Sequence, residues 1–288
     1  MKIREMVNAG TETLEKAGVP DAAHDAALLM RFLLGITLTD YLAEKERAIS
    51  SEERLEYEAL IKRRASRGPL QHITGQADFY GYTFKSDARA LVPRFDTEIV
   101  TEAVLKENPE KDIRVLDLGT GSGCIAVVLK KEGGYREVEA SDLDEEALSL
   151  ARENAALLQA EITFIRSGFF EALHGKYRLI VSNPPYIAED ERDGLEPEVL
   201  LFDPEKALFG GSDGLEYYRR IISDAPSYLE DGGKLYLEIG ASQAREVVRL
   251  LEAEGFSDCH VYRDLAGKDR AVRGVYKRGF PGENTENS

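Results

Sequence analysis

The sequence predicts a small helical domain followed by an α/β domain with a doubly wound, mostly parallel sheet of seven strands. From about residue 95 onward, short apolar segments alternate with amphipathic helical segments, a pattern typical of parallel sheets covered by helices on both faces. The last two strand segments are closely spaced, which predicts an antiparallel pair at one edge. The predicted strands are IRVLDL, REVEAS, TFIR, RLIVS, KLYLEI, DCHVYR and VRGVYK.

Helical signals dominate the first 70 residues. The segment AAHDAALLMRFLLG has an apolar stripe at helical spacing and ends at Gly35, a typical C-cap. The segment SSEERLEYEALIKRRASRG begins with serine and glutamate and ends with basic residues, an order that suits the helix dipole. We expect those basic residues to be solvated, and a helical domain to cover residues 1–75.

Three further boundaries follow from composition. Aromatic and β-branched residues alternate around Gly81 in QADFYGYTFKSDARALV, which predicts a β-hairpin linker over residues 76–93. The α/β domain then covers residues 94–278. Residues 279–288 are polar and contain glycine and proline, so they are predicted to form a flexible tail.

Charge and composition limit the classes of function. The formal net charge of the chain is −16. Residues 1–90 hold 13 Lys/Arg and 14 Asp/Glu and are nearly neutral, so nearly all of the net negative charge lies in the α/β part of the chain. Such a field repels phosphates, and we expect no direct nucleic-acid partner. The chain has no long apolar run and no signal-peptide core, which predicts a cytoplasmic protein without a membrane partner. Cys124, Cys259 and four scattered histidines match neither a disulfide framework nor a metal motif, so we expect no metal.

The segment VLDLGTGSGCIA places an apolar strand, a glycine-rich turn and a helix start in succession. Glycines at such a turn let the backbone approach a ligand closely. Asp142 follows at the end of the next predicted strand, where its carboxylate could accept hydrogen bonds from both hydroxyls of a ribose. This combination favours a nucleoside ligand over an unoccupied turn. The residues of the turn are Gly119, Thr120, Gly121, Ser122 and Gly123.

The kind of nucleoside follows from what the turn lacks. A dinucleotide fingerprint requires glycine where Cys124 stands, and no cluster of basic residues accompanies the turn to hold a diphosphate. Asp117, just before the turn, could meet a cationic amino group. The spacing and the two acids resemble class I methyltransferases that use S-adenosyl-L-methionine (AdoMet). The resemblance implies a Rossmann-like domain, AdoMet as cofactor and S-adenosyl-L-homocysteine as product.

The segment RLIVSNPPY ends a predicted core strand in a corner, because proline cannot donate to a sheet. Asn183-Pro184-Pro185-Tyr186 resembles the motif of methyltransferases that act on planar nitrogens. Such nitrogens are poor nucleophiles, since their lone pair is delocalised. The Asn183 side-chain oxygen and the Pro184 carbonyl could each accept one N–H and fix the nitrogen, while Tyr186 could stack on the flat group. The motif predicts N-methylation and leaves adenine, glutamine and asparagine open.

Further motifs extend over nearly all of residues 1–277: GPLQHITGQADFYGYTF, ALVPRFDTE, DPEKALFGGSDGLEYYRRI, LYLEIGASQ and RDLAGKDRAVRG. With the two motifs above, they resemble the peptide chain release factor glutamine methyltransferases, the PrmC/HemK family. The resemblance implies methylation of the side-chain amide nitrogen (N5) of the glutamine in the Gly-Gly-Gln loop of class 1 release factors, which modulates translation termination. It implies that the glycine-rich turn and Asp142 hold the cofactor, and that residues 183–186 hold the glutamine. We expect the helical domain and the hairpin to contact the protein substrate, and the chain to be a monomer.

Some positions depart from the family pattern. Phe95 replaces a proline, and Gly168 replaces an acid, although the following Phe169 could still cover the adenine. Thr97 and Glu98 begin a predicted helix, where they could cap the helix or contact the cofactor.

Other functions remain open at this point. A ribosomal-protein glutamine N5-methyltransferase would share the core motifs. An adenine-N6 nucleic-acid methyltransferase is disfavoured by the acidic charge. A nicotinamide oxidoreductase would leave the Asn-Pro-Pro-Tyr corner unexplained.

Overall fold

The computed structural model describes residues 1–278, so the predicted tail over residues 279–288 lies outside the described residues. Elements are numbered in chain order. The α-helices are α1 (Ile3–Lys16), α2 (Ala22–Leu34), α3 (Leu38–Ala43), α4 (Ser51–Ala65), α5 (Leu70–Thr74), α6 (Thr97–Glu107), α7 (Cys124–Val128), α8 (Glu145–Leu157), α9 (Pro197–Phe202), α10 (Glu216–Asp224) and α11 (Ala244–Ala253). The strands are β1 (Gln76–Phe79), β2 (Tyr82–Lys85), β3 (Arg114–Leu118), β4 (Glu137–Asp142), β5 (Thr163–Arg166), β6 (Tyr177–Ser182), β7 (Leu229–Glu238), β8 (Phe256–Arg263) and β9 (Asp269–Tyr276).

The chain forms two compact units. The first comprises Met1–Gln76 together with Leu195–Phe202, and the second begins at Ala77, omits that short segment and continues from Asp203. The helical unit therefore includes α9, a segment that the sequence places in the middle of the α/β domain.

The helix ends in the helical unit follow the local sequence signals. Gly35 ends α2 with a φ of 63°, in the left-handed region that glycine adopts without strain. Ser50 precedes α4 and accepts a hydrogen bond from the Glu53 N–H at 3.0 Å, completing a capping box. Both predicted ends are confirmed.

The basic end of α4 differs from the sequence expectation, because one of its arginines is buried. Arg64 donates from Nε to Asp25 Oδ2 at 2.6 Å and from Nη1 to Glu198 Oε1 at 2.8 Å. Arg67 donates to the other oxygen of Glu198 at 2.5 Å. A buried charge needs paired partners, so this cluster attaches α9 to the helical unit.

The second unit contains all seven predicted strands in one sheet, in the order β5-β4-β3-β6-β7-β9-β8. Neighbouring strands from β5 to β7 are parallel, while β9 is antiparallel to both β7 and β8. The predicted fold class and its antiparallel edge are confirmed, and β1 with β2 forms the predicted hairpin.

The sheet topology places the functional segments next to one another. The chain proceeds outward from β3 through β4 to β5 on one side, and from β6 to β7 on the other. Ligands in doubly wound folds bind at such a reversal, at the carboxyl ends of the strands. Leu118 at the end of β3 pairs with Ser182 at the end of β6, so the glycine-rich turn and the Asn-Pro-Pro-Tyr corner begin side by side.

Among residues 1–278, no helix combines the length and the apolar character that crossing a membrane requires. In the same part of the chain, no group of three or more His, Cys, Asp or Glu side chains is arranged to hold a metal ion.

Candidate active site

A cavity of about 390 Å³ lies at the carboxyl ends of β3, β4, β5 and β6. Its size falls within the range of small-molecule sites. The predicted residues that line it are Gly119, Thr120, Gly121, Ser122, Asp142, Phe169, Asn183, Pro184 and Pro185. The predicted residues that do not line it are Asp117, Gly123 and Tyr186.

Two glycines of the turn present bare backbone to the cavity. Gly119 and Gly121 have φ values of 75° and 55°, a backbone conformation that residues with a side chain rarely adopt. A Cβ on Gly119 would have Ser182 Oγ as its nearest neighbour at 4.0 Å, and one on Gly121 would have Ala90 Cβ at 3.9 Å. The space beside both glycines is therefore open to a ligand.

The third glycine of the turn serves helix packing instead. A Cβ on Gly123 would lie 3.0 Å from the Ala151 Cβ and 3.1 Å from its Cα. Ala151 belongs to α8, so the absence of a side chain at Gly123 allows α8 to pack against the start of α7. Open space therefore adjoins Gly119 and Gly121, whereas α8 fills the space beside Gly123.

Asp117 is fully buried beneath the turn. Its Oδ2 accepts hydrogen bonds from Thr120 Oγ1 at 2.6 Å and from the Ala126 N–H at 3.1 Å. No hydrogen bond within residues 1–278 uses its Oδ1. Burial raises the pKa of Asp117 to about 7. This carboxyl group holds the turn and the start of α7 together and does not line the cavity.

Asp142 faces the cavity and also fixes the turn. Its Oδ2 accepts a hydrogen bond from the Gly121 N–H at 3.0 Å, and its Oδ1 accepts one from the Asp144 N–H at 2.9 Å. Burial raises the pKa of Asp142. Each carboxylate oxygen keeps further acceptor capacity, so both can accept a ligand hydroxyl as well.

Phe169 forms an aromatic wall of the cavity. Its φ of 51° is unusual for a residue with a side chain, and such strain often accompanies functional sites. The Tyr217 ring lies 5.6 Å from the Phe169 ring, and the Arg220 guanidinium lies 5.0 Å from it on the ring face. Gly168 also lines the cavity, whereas Phe95 is 77% exposed and does not.

The Asn183 carboxamide is oriented by the start of α6. Its Nδ2 donates to Thr97 Oγ1 at 3.2 Å, and no hydrogen bond within residues 1–278 uses its Oδ1. Asp96 occupies the N-cap position of α6 without a side-chain cap, so Thr97 does not cap the helix. Glu98 accepts a hydrogen bond from the Tyr80 N–H at 2.6 Å and lies outside the cavity lining.

The Asn-Pro-Pro-Tyr corner is braced by residues that the sequence pattern did not single out. Gln243 donates from Nε2 to the Tyr186 carbonyl at 2.8 Å, and its Oε1 accepts from the Gly240 N–H at 2.9 Å. Ile187 forms a parallel bridge with Phe209. Gln243, Gly240 and Phe209 belong to the motifs LYLEIGASQ and DPEKALFGG. Both motifs contribute to the family resemblance, and this was the one signal in the sequence that could have pointed to these residues.

Tyr186 points away from the cavity, towards a buried carboxyl group at the end of β7. Its hydroxyl donates to Glu238 Oε1 at 3.4 Å, and burial raises the pKa of Tyr186 far above its usual value. Glu238 is 2% exposed, and the neighbouring Thr97 hydroxyl lowers its pKa. Its Oε2 has no hydrogen-bond partner within residues 1–278, and burial raises the pKa of Glu238 to about 7.

Known protein families match both the N-terminal and the α/β part of the chain. The PrmC N-terminal domain matches residues 5–75, and the methyltransferase small domain matches residues 94–208. The release factor glutamine methyltransferase of Deinococcus radiodurans is 41% identical over 95% of this chain and 98% of its own length. The chain belongs to the release factor glutamine methyltransferase family. The Geobacter sulfurreducens member of this family is 38% identical over 94% of this chain and 96% of its own length.

Solved structures agree with the methyltransferase fold of this family member. A methyltransferase from Pyrococcus furiosus aligns with a TM-score of 0.53 at 17% identity, covering 77% of this chain and 98% of the other. At that identity the likeness concerns the fold alone.

Proposed function

We propose that this protein transfers a methyl group from AdoMet to the side-chain amide nitrogen of the glutamine in the Gly-Gly-Gln loop of class 1 peptide chain release factors. The observation that carries the chemistry is one cavity that joins the open glycine turn and Asp142 to an Asn183 oxygen without a protein partner. Family membership supplies the substrate class.

The residues of the cavity fit AdoMet. Asp142 would accept the ribose hydroxyls, Phe169 would cover the adenine, and the open space beside Gly119 and Gly121 would admit the amino-acid end. No basic cluster is required, because AdoMet carries no phosphate. When bound, AdoMet supplies a sulfonium-activated methyl group.

The corner holds the nucleophile. Asn183 Oδ1 and the Pro184 carbonyl each accept one N–H of the glutamine amide, which fixes its nitrogen and favours localisation of its lone pair. Pro184 and Pro185 keep the corner stiff, since each proline restricts its own φ. Tyr186 anchors the corner through Glu238. The proton leaves after methylation, so a dedicated base is not needed.

The helical unit binds the release factor, because a single loop glutamine offers little surface for selection. The protein is proposed to work as a cytoplasmic monomer. Its net charge of −16 disfavours a direct contact with the phosphates of nucleic acid.

The test is methyl transfer from labelled AdoMet to three separate substrates: a class 1 release factor, ribosomal protein and DNA. We expect label on the Gly-Gly-Gln glutamine, located by mass spectrometry at the amide nitrogen. The Asn183→Ala variant should retain AdoMet affinity within about threefold while transfer falls on the order of 100-fold, because only positioning of the nucleophile is lost. Label on ribosomal protein or DNA alone would refute the proposed substrate.

A further inference from the structure

The orientation of the Asn183 carboxamide decides whether the corner can bind an amide nitrogen. An asparagine side chain presents an acceptor at its oxygen and donors at its nitrogen, and the two ends have nearly the same shape. If the carboxamide turned over, its NH₂ group would face the N–H groups of the substrate. Binding of an amide nitrogen therefore requires neighbouring groups that select one orientation of the Asn183 carboxamide.

Three segments of the chain bring these neighbouring groups together beside Asn183. Asn183 follows β6, Thr97 is the first residue of α6, and Glu238 is the last residue of β7. Asn183 Nδ2 donates to Thr97 Oγ1 at 3.2 Å. The Thr97 hydroxyl also neighbours the Glu238 carboxyl group and lowers its pKa. Thr97 is 3% exposed and Glu238 is 2% exposed, whereas Asn183 is half-buried at the cavity.

The order of donors follows from the chemistry of the three groups. When Glu238 is ionised it only accepts hydrogen bonds, and the neighbouring Thr97 hydroxyl would direct its single hydrogen to it. The Thr97 oxygen must then accept from Asn183, which only Nδ2 can satisfy. Asn183 Oδ1 is left on the side of the cavity, where Asn183 and Pro184 form its lining.

We infer that Thr97 and Glu238 are positioning residues that hold the Asn183 carboxamide with its oxygen toward the substrate nitrogen. This inference rests on the proposed function and adds two residues to it. Thr97 lines the cavity and Glu238 does not, but the proposed effect of both residues is transmitted through Asn183.

The selected orientation of the Asn183 carboxamide depends on the charge of Glu238. Burial raises the pKa of Glu238 to about 7, and a protonated Glu238 can donate to Thr97. The Thr97 hydroxyl is then free to donate to a reversed carboxamide. The groups that face Glu238 from neighbouring elements are Asp96, Cys124, Tyr186, Tyr218 and Arg270. Asp96 raises the pKa of Glu238, and Arg270 lowers it.

The first test compares single-turnover transfer rates at saturating AdoMet and protein substrate. Thr97→Val should slow transfer roughly 10- to 100-fold, because the orientation of Asn183 is no longer selected. Thr97→Ser restores the hydroxyl and should recover most of the rate. Thr101→Val is the matched control: Thr101 is buried one turn later in α6, and its hydroxyl donates to the Thr97 carbonyl at 3.1 Å. Equal rates for Thr97→Val and Thr101→Val would overturn the inference, as would a loss of AdoMet affinity that matches the loss of rate.

The second test does not depend on methylation of any substrate. In ¹⁵N NMR of the free protein, the Asn183 side-chain amide signals should titrate near pH 7 in the wild type and stay constant between pH 6 and 8 in Glu238→Gln. The transfer rate should rise with pH through the same range in the wild type only. Side-chain signals that titrate alike in both proteins contradict the role of Glu238, whereas failure to label release factors refutes only the proposed substrate.

Discussion

At the scale of single residues, the glycine-rich turn shows that one residue type serves two physical needs. Gly119 and Gly121 leave space that a ligand can occupy, because a Cβ added to either would have its nearest protein atom 4.0 or 3.9 Å away. Gly123 has a similar positive φ but lies against Ala151 of α8. A substitution should therefore have different consequences at the two kinds of position.

We predict that Gly123→Ala lowers the free energy of unfolding more than Gly134→Ala does. Both glycines have a positive φ, of 82° and 62°, so both variants incur a backbone cost of about 1–2 kcal/mol. Only at Gly123 does the added methyl group meet another residue, Ala151, which should cost a further 1–3 kcal/mol or so by overpacking. Urea unfolding of both variants measures the difference, and equal losses would show that α8 moves aside freely.

At the scale of elements, the Asn-Pro-Pro-Tyr corner depends on segments that follow it in the chain. The N-terminus of α11 contributes Gln243, which contacts the Tyr186 carbonyl. The segment before α10 contributes Gly214, where a Cβ would collide with the same carbonyl. The Ile187 N–H donates to the Leu208 carbonyl at 3.0 Å, and the Ile187 carbonyl accepts from the Gly210 N–H at 2.9 Å. The stiffness of the corner is therefore a property of several packed elements, with the prolines as one part.

We predict that Gln243→Glu lowers the methyl-transfer rate roughly tenfold while AdoMet affinity stays within about threefold. The substitution keeps an oxygen for the Gly240 N–H but removes the donor to the Tyr186 carbonyl, so the corner loses a brace. Gln243 does not line the cavity. Arg245→Ala, an exposed change in the first turn of α11, is the control and should behave as the wild type. A rate for Gln243→Glu equal to that of the control would exclude this role.

At the scale of the whole molecule, the described chain is organised into two units that do not follow the order of the sequence. The segment Leu195–Phe202 belongs with the N-terminal helices. Arg64 links this segment to the N-terminal helices, because it forms ion pairs with Asp25 on α2 and Glu198 on α9. Breaking a buried ion pair by removing one partner is strongly destabilising, since the remaining charge stays buried.

We predict that Arg64→Leu destabilises the helical unit by about 3–5 kcal/mol. Hydrogen exchange should increase together in α2, α4 and α9, because Asp25 and Glu198 lose a shared partner. The exposed neighbour Arg63→Leu is the control and should leave protection unchanged. If α9 alone loses protection, the segment is only loosely attached and the helical unit does not depend on it.

The sequence by itself determined the elements and the chemistry of the site. All seven strands, the ends of α2 and α4, the glycine-rich turn and the Asn-Pro-Pro-Tyr corner could be predicted. Each of these rests on a local signal: hydrophobic periodicity, capping, or the backbone restrictions of glycine and proline.

The contacts between these residues depend on long-range packing. Asn183 contacts Thr97 across 86 positions, and Arg64 contacts Glu198 across 134. Asp117 and Gly123 have the residue types of a ligand site, yet Asp117 hydrogen-bonds to the turn and to α7, and Gly123 packs against α8. Residue type and spacing describe what a side chain can do, whereas long-range packing sets its partners and its access to the cavity, and no local pattern records that packing.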